Sequence, residues 1–240
     1  MLSRDNLEKF TKLQQTSVQN VVREYCQHLF LSYLYQNPGS EKLAFKGGTA
    51  LRIIFKNPRF SEDLDFTGTG ITHKEIEELF TNTLANIEKT GMTVHVEEAT
   101  KTTGGYLGIA LFEAYDMKIN VQIEVSLRKG KVFKKIRALI ANDYIPAYTL
   151  VHLTLEDIIQ GKLEALLDRH KPRDYYDYFF LLSGDYPAAR TKENLKKALK
   201  LLQKENTNFQ TELKKFLPAS HAMHLRDFKK ILEEKIRTYL

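Results

Sequence analysis

The chain has 240 residues, 42% hydrophobic and 28% charged, enough for a buried core and too apolar for a disordered chain. One cysteine excludes an internal disulfide and a cysteine-built zinc site, and no apolar run approaches the ~20 residues of a membrane span. The net charge is +6, with 36 Lys and Arg against 30 Asp and Glu.

The charged opening MLSRDNLEKF lacks the apolar core of a secretory signal, so the expected location is a reducing cytoplasm without membrane attachment. From about Arg4 to Tyr35 the apolar period is helical, and Asn37-Pro38-Gly39-Ser40 ends it as a turn. Leu43–Phe45 is a short apolar run, followed by Gly47-Gly48-Thr49 and a helical Ala50–Phe55. Asp63-Leu64-Asp65-Phe66 reads as a strand. Thr72 with Glu75 forms a capping-box start for a helix to about Lys89. Strands are expected at Met92–Glu98, Tyr106–Ala114 and Lys118–Ser126.

From Thr154 the pattern is helical throughout. Thr154 would cap Leu155–Arg169, and Pro172 suits the first turn of a helix continuing through Tyr175–Leu182. Lys192–Gln203 and Met223–Tyr239 are amphipathic. The expected class is therefore α+β, with an N-terminal lobe (1–150) holding a mixed or antiparallel sheet and a helical lobe (151–240). Tyr186 to Leu240 holds 13 basic and 6 acidic residues, while the rest of the chain holds 23 and 24. Such a tail points to an anionic partner, nucleic acid first; a solvated lysine face would give the same count.

Asp63 and Asp65, two apart in a strand, project to one face while Leu64 and Phe66 turn to the core. Adjacent carboxylates repel unless a cation sits between them, and hard oxygen donors suit Mg²⁺. Glu124 alternates with Val121, Ile123 and Val125, so it is a third candidate ligand unless its strand face is simply wet. Gly47, Gly48 and Thr49 lead into a helix and could meet a phosphate; a glycine turn with a threonine cap explains them equally. Lys162 lies at the edge of an apolar stripe, able to snorkel or to reach a triphosphate. Arg173 is a further candidate cation, and Asp174 and Asp177 share a helical face, where first-turn acids also serve the helix dipole. The Tyr175–Phe180 aromatics read as core, and Cys26 as a small buried hydrophobe.

The order of these elements is more specific than any one of them. Lys46-Gly47-Gly48-Thr49-Ala50-Leu51-Arg52 with Arg59–Phe66, and Lys162-Leu163-x-Ala165, Arg169 and Pro172-Arg173-Asp174-x-x-Asp177, resemble the AbiEii toxin family of nucleotidyltransferases over residues 40–185. The resemblance implies a nucleotidyltransferase fold, Mg²⁺ and a nucleoside triphosphate, with addition of nucleotides to tRNA 3′ ends and a cognate antitoxin. It implies metal ligation by Asp63 and Asp65, a phosphate contact at Thr49 and a triphosphate contact at Lys162. An acid of the last motif, Asp174 or Asp177, would complete the site. A Mg²⁺-dependent nuclease and a non-catalytic RNA-binding protein are the alternatives.

Overall fold

The N-terminal helical stretch is two helices rather than one. Ser3 and Ser17 each cap a helix start, accepting from the backbone N–H of Asn6 and Asn20, and Gln15 between them turns through a positive φ of 50°. The result is α1 (Arg4–Leu13) and α2 (Val18–Leu34). The computed structural model describes residues 1–128, 130 and 133–240.

After α2 come β1 (Leu43–Lys46), α3 (Gly47–Ile53), β2 (Asp63–Gly68) and α4 (His73–Glu88), the last opened by the Thr72–Glu75 capping box. Then follow β3 (Thr93–Thr102), β4 (Gly105–Ala114), β5 (Met117–Leu127), β6 (Lys135–Ile140) and β7 (Tyr148–Leu153). They form one seven-stranded mixed sheet in the order β3-β4-β5-β2-β1-β7-β6. The pair β2–β5 is parallel, as is β1–β7; the others are antiparallel.

Six helices follow among the described residues: α5 (Leu155–Arg169), α6 (Pro172–Ser183), α7 (Lys192–Lys204), α8 (Phe209–Leu213), α9 (Ala219–Ala222) and α10 (Phe228–Thr238). The stretch expected as one helix from Met223 to Tyr239 is a 3₁₀ turn at Met223–Leu225 followed by α10.

The parallel register Leu64↔Ile123 and Phe66↔Val125 puts these apolar residues on one sheet face, together with Tyr106, Gly108 and Phe112 of β4. Helices α2 and α4 pack there, with Phe30 against Phe80 and Phe80 against Tyr106. Leu64, Phe66 and Phe112 are fully buried, each contributing about 2–3 kcal/mol of hydrophobic stabilisation. Pleating then sends Asp63, Asp65 and Glu124 to the opposite face.

The chain divides into two compact units. One is Met1–Lys56 with Phe60–Thr154, which holds the sheet; the other is Asn57–Arg59 with Leu155–Leu240. The three-residue contribution of Asn57–Arg59 to the helical unit has no counterpart in a division near residue 150.

Candidate active site

In the sheet unit, β2 and β5 run parallel with Asp65 beside Glu124 and Asp63 beside Gln122. Directly paired residues share a face and lie one strand spacing apart, about 4.8 Å. The three carboxylates that the sequence offers separately thus occupy adjacent positions on one face. Asp63 and Asp65 are half-buried and Glu124 is exposed, its Oε1 accepting a hydrogen bond from Gln122 Nε2 at 2.5 Å. The register also pairs Lys46 of β1 with Asp65, so a cation joins the same row. Its Nζ crosses the face of β2 to donate to Ser126 Oγ on β5 at 3.3 Å. Sequence reasoning gave Lys46 no role; its antiparallel pairing with β2 is what puts it there.

Asp65 also explains Gly47. That glycine has a φ of 84°, and a Cβ on it would stand 2.0 Å from Asp65 Oδ2. Only a glycine lets the start of α3 approach this carboxylate. The helix begins at Gly47 with Lys46 as N-cap, so Thr49 is not the cap. Instead Thr49 is fully buried and its hydroxyl donates to the Asp63 backbone carbonyl, fastening α3 to the first residue of β2. Gly48 is buried too. The Gly47-Gly48-Thr49 segment therefore packs against the carboxylate strand, and the Thr49 hydroxyl faces Asp63 rather than an open phosphate pocket.

In the helical unit the expected cations and acids pair with one another. Asp177 is fully buried; its Oδ1 accepts from Arg59 Nε at 2.8 Å and Asn57 Nδ2 at 3.0 Å. Its Oδ2 accepts from Arg59 at 2.9 Å and lies 2.8 Å from Lys162 Nζ. Burial alone would raise this carboxyl's pKa, but Arg59 and Lys162 outweigh it and hold the group well below its usual range. Asp177 is thus a structural counter-ion with both oxygens engaged, and Lys162 is a buried partner rather than a snorkelling edge residue. Asp174, also buried, takes Arg169 in a bidentate pair at 2.9 and 2.7 Å and accepts from the Lys171 backbone N–H, capping α6. The shared helical face of Asp174 and Asp177 gives two separate ion pairs between α5 and α6. Arg173 is half-buried, and its Nε finds no hydrogen-bond partner.

A second polar cluster in the sheet unit, absent from the sequence reading, lines a cavity of about 400 Å³ that includes Gln14, Glu24, His28, Arg52 and Tyr144. Glu24 accepts from Arg52 Nε and Tyr144 OH, both at 2.7 Å, and Gln14 bridges Arg52 and Tyr144. Gln14, Glu24, Arg52 and Tyr144 thus bond one another, and His28 bonds Tyr148 OH at 2.9 Å, which fits a role in joining α1, α2 and α3. Tyr175, Tyr176 and Tyr178 are core residues, Tyr176 stacking on Phe228 at 5.8 Å, and Cys26 is fully buried, as the sequence suggests.

The donor chemistry on β2 and β5 is hard oxygen, which suits Mg²⁺. Among the described residues no three His, Cys, Asp or Glu side chains already converge on a single ion position. The backbone register aligns the three carboxylates, while Asp65 leans onto Gly47 and Glu124 bonds Gln122.

The family model described as nucleotidyl transferase AbiEii toxin, type IV TA system, matches residues 29–239. The chain belongs to the AbiEii family. It is therefore a nucleotidyltransferase of a toxin–antitoxin family, and the nuclease and non-catalytic readings give way. JHP933 from Helicobacter pylori superposes with a TM-score of 0.60 at 20% identity, over 93% of this chain and 95% of that one. A candidate nucleotidyltransferase from H. pylori does so at 0.56 and 18%, over 92% and 98%. At these identities the likeness shows an α+β fold shared with the AbiEii-family chain. No curated protein matches it. No helix among the described residues is long and apolar enough to cross a membrane.

Proposed function

We propose that this AbiEii-family chain transfers a nucleotidyl group from a nucleoside triphosphate to the 3′ end of an RNA, a tRNA acceptor end first, in a Mg²⁺-dependent reaction. The observation that carries this reading is the row formed by Glu124, Asp65 and Lys46 on three neighbouring strands, with Asp63 two residues along. The RNA 3′-hydroxyl oxygen forms a bond to the α-phosphorus and gives up its proton to solvent, the bond from the α-phosphorus to the α–β bridging oxygen breaks, and pyrophosphate leaves with that electron pair. Mg²⁺, held by Asp63, Asp65 and Glu124, would supply charge neutralisation and a lowered pKa for the hydroxyl. Lys46 offers positive charge toward the triphosphate from the same face, and Arg173 in the helical unit has an Nε without a hydrogen-bond partner. Lys162 keeps further N–H donors beyond its bond to Asp177 and stays a candidate triphosphate contact. The type IV family assignment implies a cognate antitoxin.

The test is incubation with each α-labelled nucleoside triphosphate and total tRNA, with Mg²⁺ or with chelator. Label joined to lengthened tRNA, and lost with chelator, is the expected result. Shortened RNA, or no labelled RNA with any nucleotide, would overturn the reading.

A further inference from the structure

Helix α7 differs from α4 and α10. On those two helices the exposed Lys and Arg side chains are matched by acids one turn away: Lys74 with Glu78 on α4, and Lys230 with Glu234 and Arg237 with Glu233 on α10. On α7, Lys192, Lys196, Lys200 and Lys204 stand at successive i, i+4 positions, and all four are exposed. Among the described residues none of the four has an ion-pair or hydrogen-bond partner. The only acid within the helix, Glu193, is taken by Lys197 at 2.6 Å. Leu195, Ala198 and Leu202 are buried on the opposite side, with Leu199 and Leu201 half-buried.

Four-residue spacing makes a single ridge, its cations about 6 Å apart and about 18 Å from first to last. Like charges at i, i+4 destabilise a helix by tenths of a kcal/mol per pair, and Lys192 adds a cation at the wrong end of the dipole. A merely solvated face in this molecule carries mixed signs, as α4 and α10 do. The α7 ridge carries an internal cost with no internal partner.

We infer that the α7 ridge is the docking surface for the sugar–phosphate backbone of the RNA acceptor. This rests on the RNA reading above for the identity of the polyanion. A regular row of point cations meets regularly spaced phosphates, and it reads no bases, so the surface takes RNA without regard to sequence.

The test is fluorescence anisotropy of an end-labelled RNA strand against the full chain without nucleotide, over about 50–200 mM salt. Wild type should give a log–log salt slope near −3, from roughly 0.7–0.9 per phosphate contact at four lysines. Replacing all four lysines with glutamine should flatten that slope and weaken binding tenfold or more; a glutamate set should weaken it further. Circular dichroism guards against misfolding, and the glutamine set removes the like-charge row without creating another. A DNA strand of the same sequence should follow the same slope. Unchanged slope and affinity in the folded glutamine variant would overturn the inference, as would binding to anionic vesicles without binding to RNA. If the wild type extends RNA and the variant binds it equally well, only this inference fails. If no RNA is ever extended yet binding depends on the ridge, the acceptor reading fails and the ridge stands.

Discussion

The molecule holds two carboxylate sites in opposite condition. On the β2–β5 face, Asp63, Asp65 and Glu124 lie half-buried or exposed, aligned by strand register with one lysine in the row. In the helical unit, Asp177 is sealed from solvent and divides its two oxygens among Arg59, Asn57 and Lys162. The first arrangement leaves Glu124 exposed and the two aspartates half-buried; the second saturates its acid with cations already present.

Removing an acid should therefore give opposite signatures in the two places. Asp63→Asn or Asp65→Asn should lower nucleotide transfer by about 10³-fold or more, with an unchanged or raised melting temperature as like-charge repulsion eases. Asp177→Asn should do the reverse in kind. It leaves Arg59 and Lys162 buried without a full counter-charge, and the expected loss is about 3–5 kcal/mol, read as a fall of about 10 °C in Tm. A fully active Asp63→Asn enzyme, or an Asp177→Asn chain as stable as wild type, would erase the contrast.

Lys162→Ala sharpens it. Asp177 keeps Arg59, so about 1–3 kcal/mol of stability should go. A rise in nucleotide KM beyond what a similarly destabilised variant shows would mean that Lys162 also meets the triphosphate, and stopped thermal melts beside steady-state kinetics separate the two. Glu124→Gln, which keeps the hydrogen bond from Gln122 in reach, should lower transfer while leaving Tm nearly unmoved.

The smallest effect concerns acid. The folded Asp177 carboxyl sits below its unfolded value, so its contribution is complete above about pH 4 and fades as pH falls toward the folded value. Denaturant melts from pH 5 down to pH 2.5 should show a steeper loss of stability in wild type than in Asp177→Asn. Parallel curves would mean that the carboxyl is not held low.

The open face was the more legible of the two. Alternation in Asp63–Phe66 and Val121–Ser126 assigns each carboxylate to the polar side from local pattern alone, and the pairing of the two strands then brings them together. The closed cluster was not legible, because Arg59 and Asp177 are 118 residues apart and no local rule links them. Lys162 looked like a boundary residue for the same reason. Thr49 is open to two readings from sequence, a cap or a phosphate contact, and the turn of the chain at Gly47 starts the helix three residues before Ala50, with Lys46 as its cap. Strands β6 and β7 went unseen: Lys135 and Arg137 interrupt the first, and the second is a short, mostly buried run without alternation. The break before Phe228 is hidden because Leu225, Phe228 and Ile231 keep a helical apolar period across it.

The brief detour of Asn57–Arg59 into the helical unit bears on how this chain can be cut, copied or assembled. A fragment starting at Leu155 would carry Asp177 and Lys162 without Arg59 and Asn57, the donors that fill Asp177 Oδ1 and flank its Oδ2. The helical unit is thus no portable cassette: truncation or module exchange at the 154/155 junction removes part of its interior. On the ribosome, Arg59 leaves the exit tunnel long before α6 exists and must wait for its carboxylate, so an interior contact of the second unit is completed by a segment made in the first quarter of synthesis.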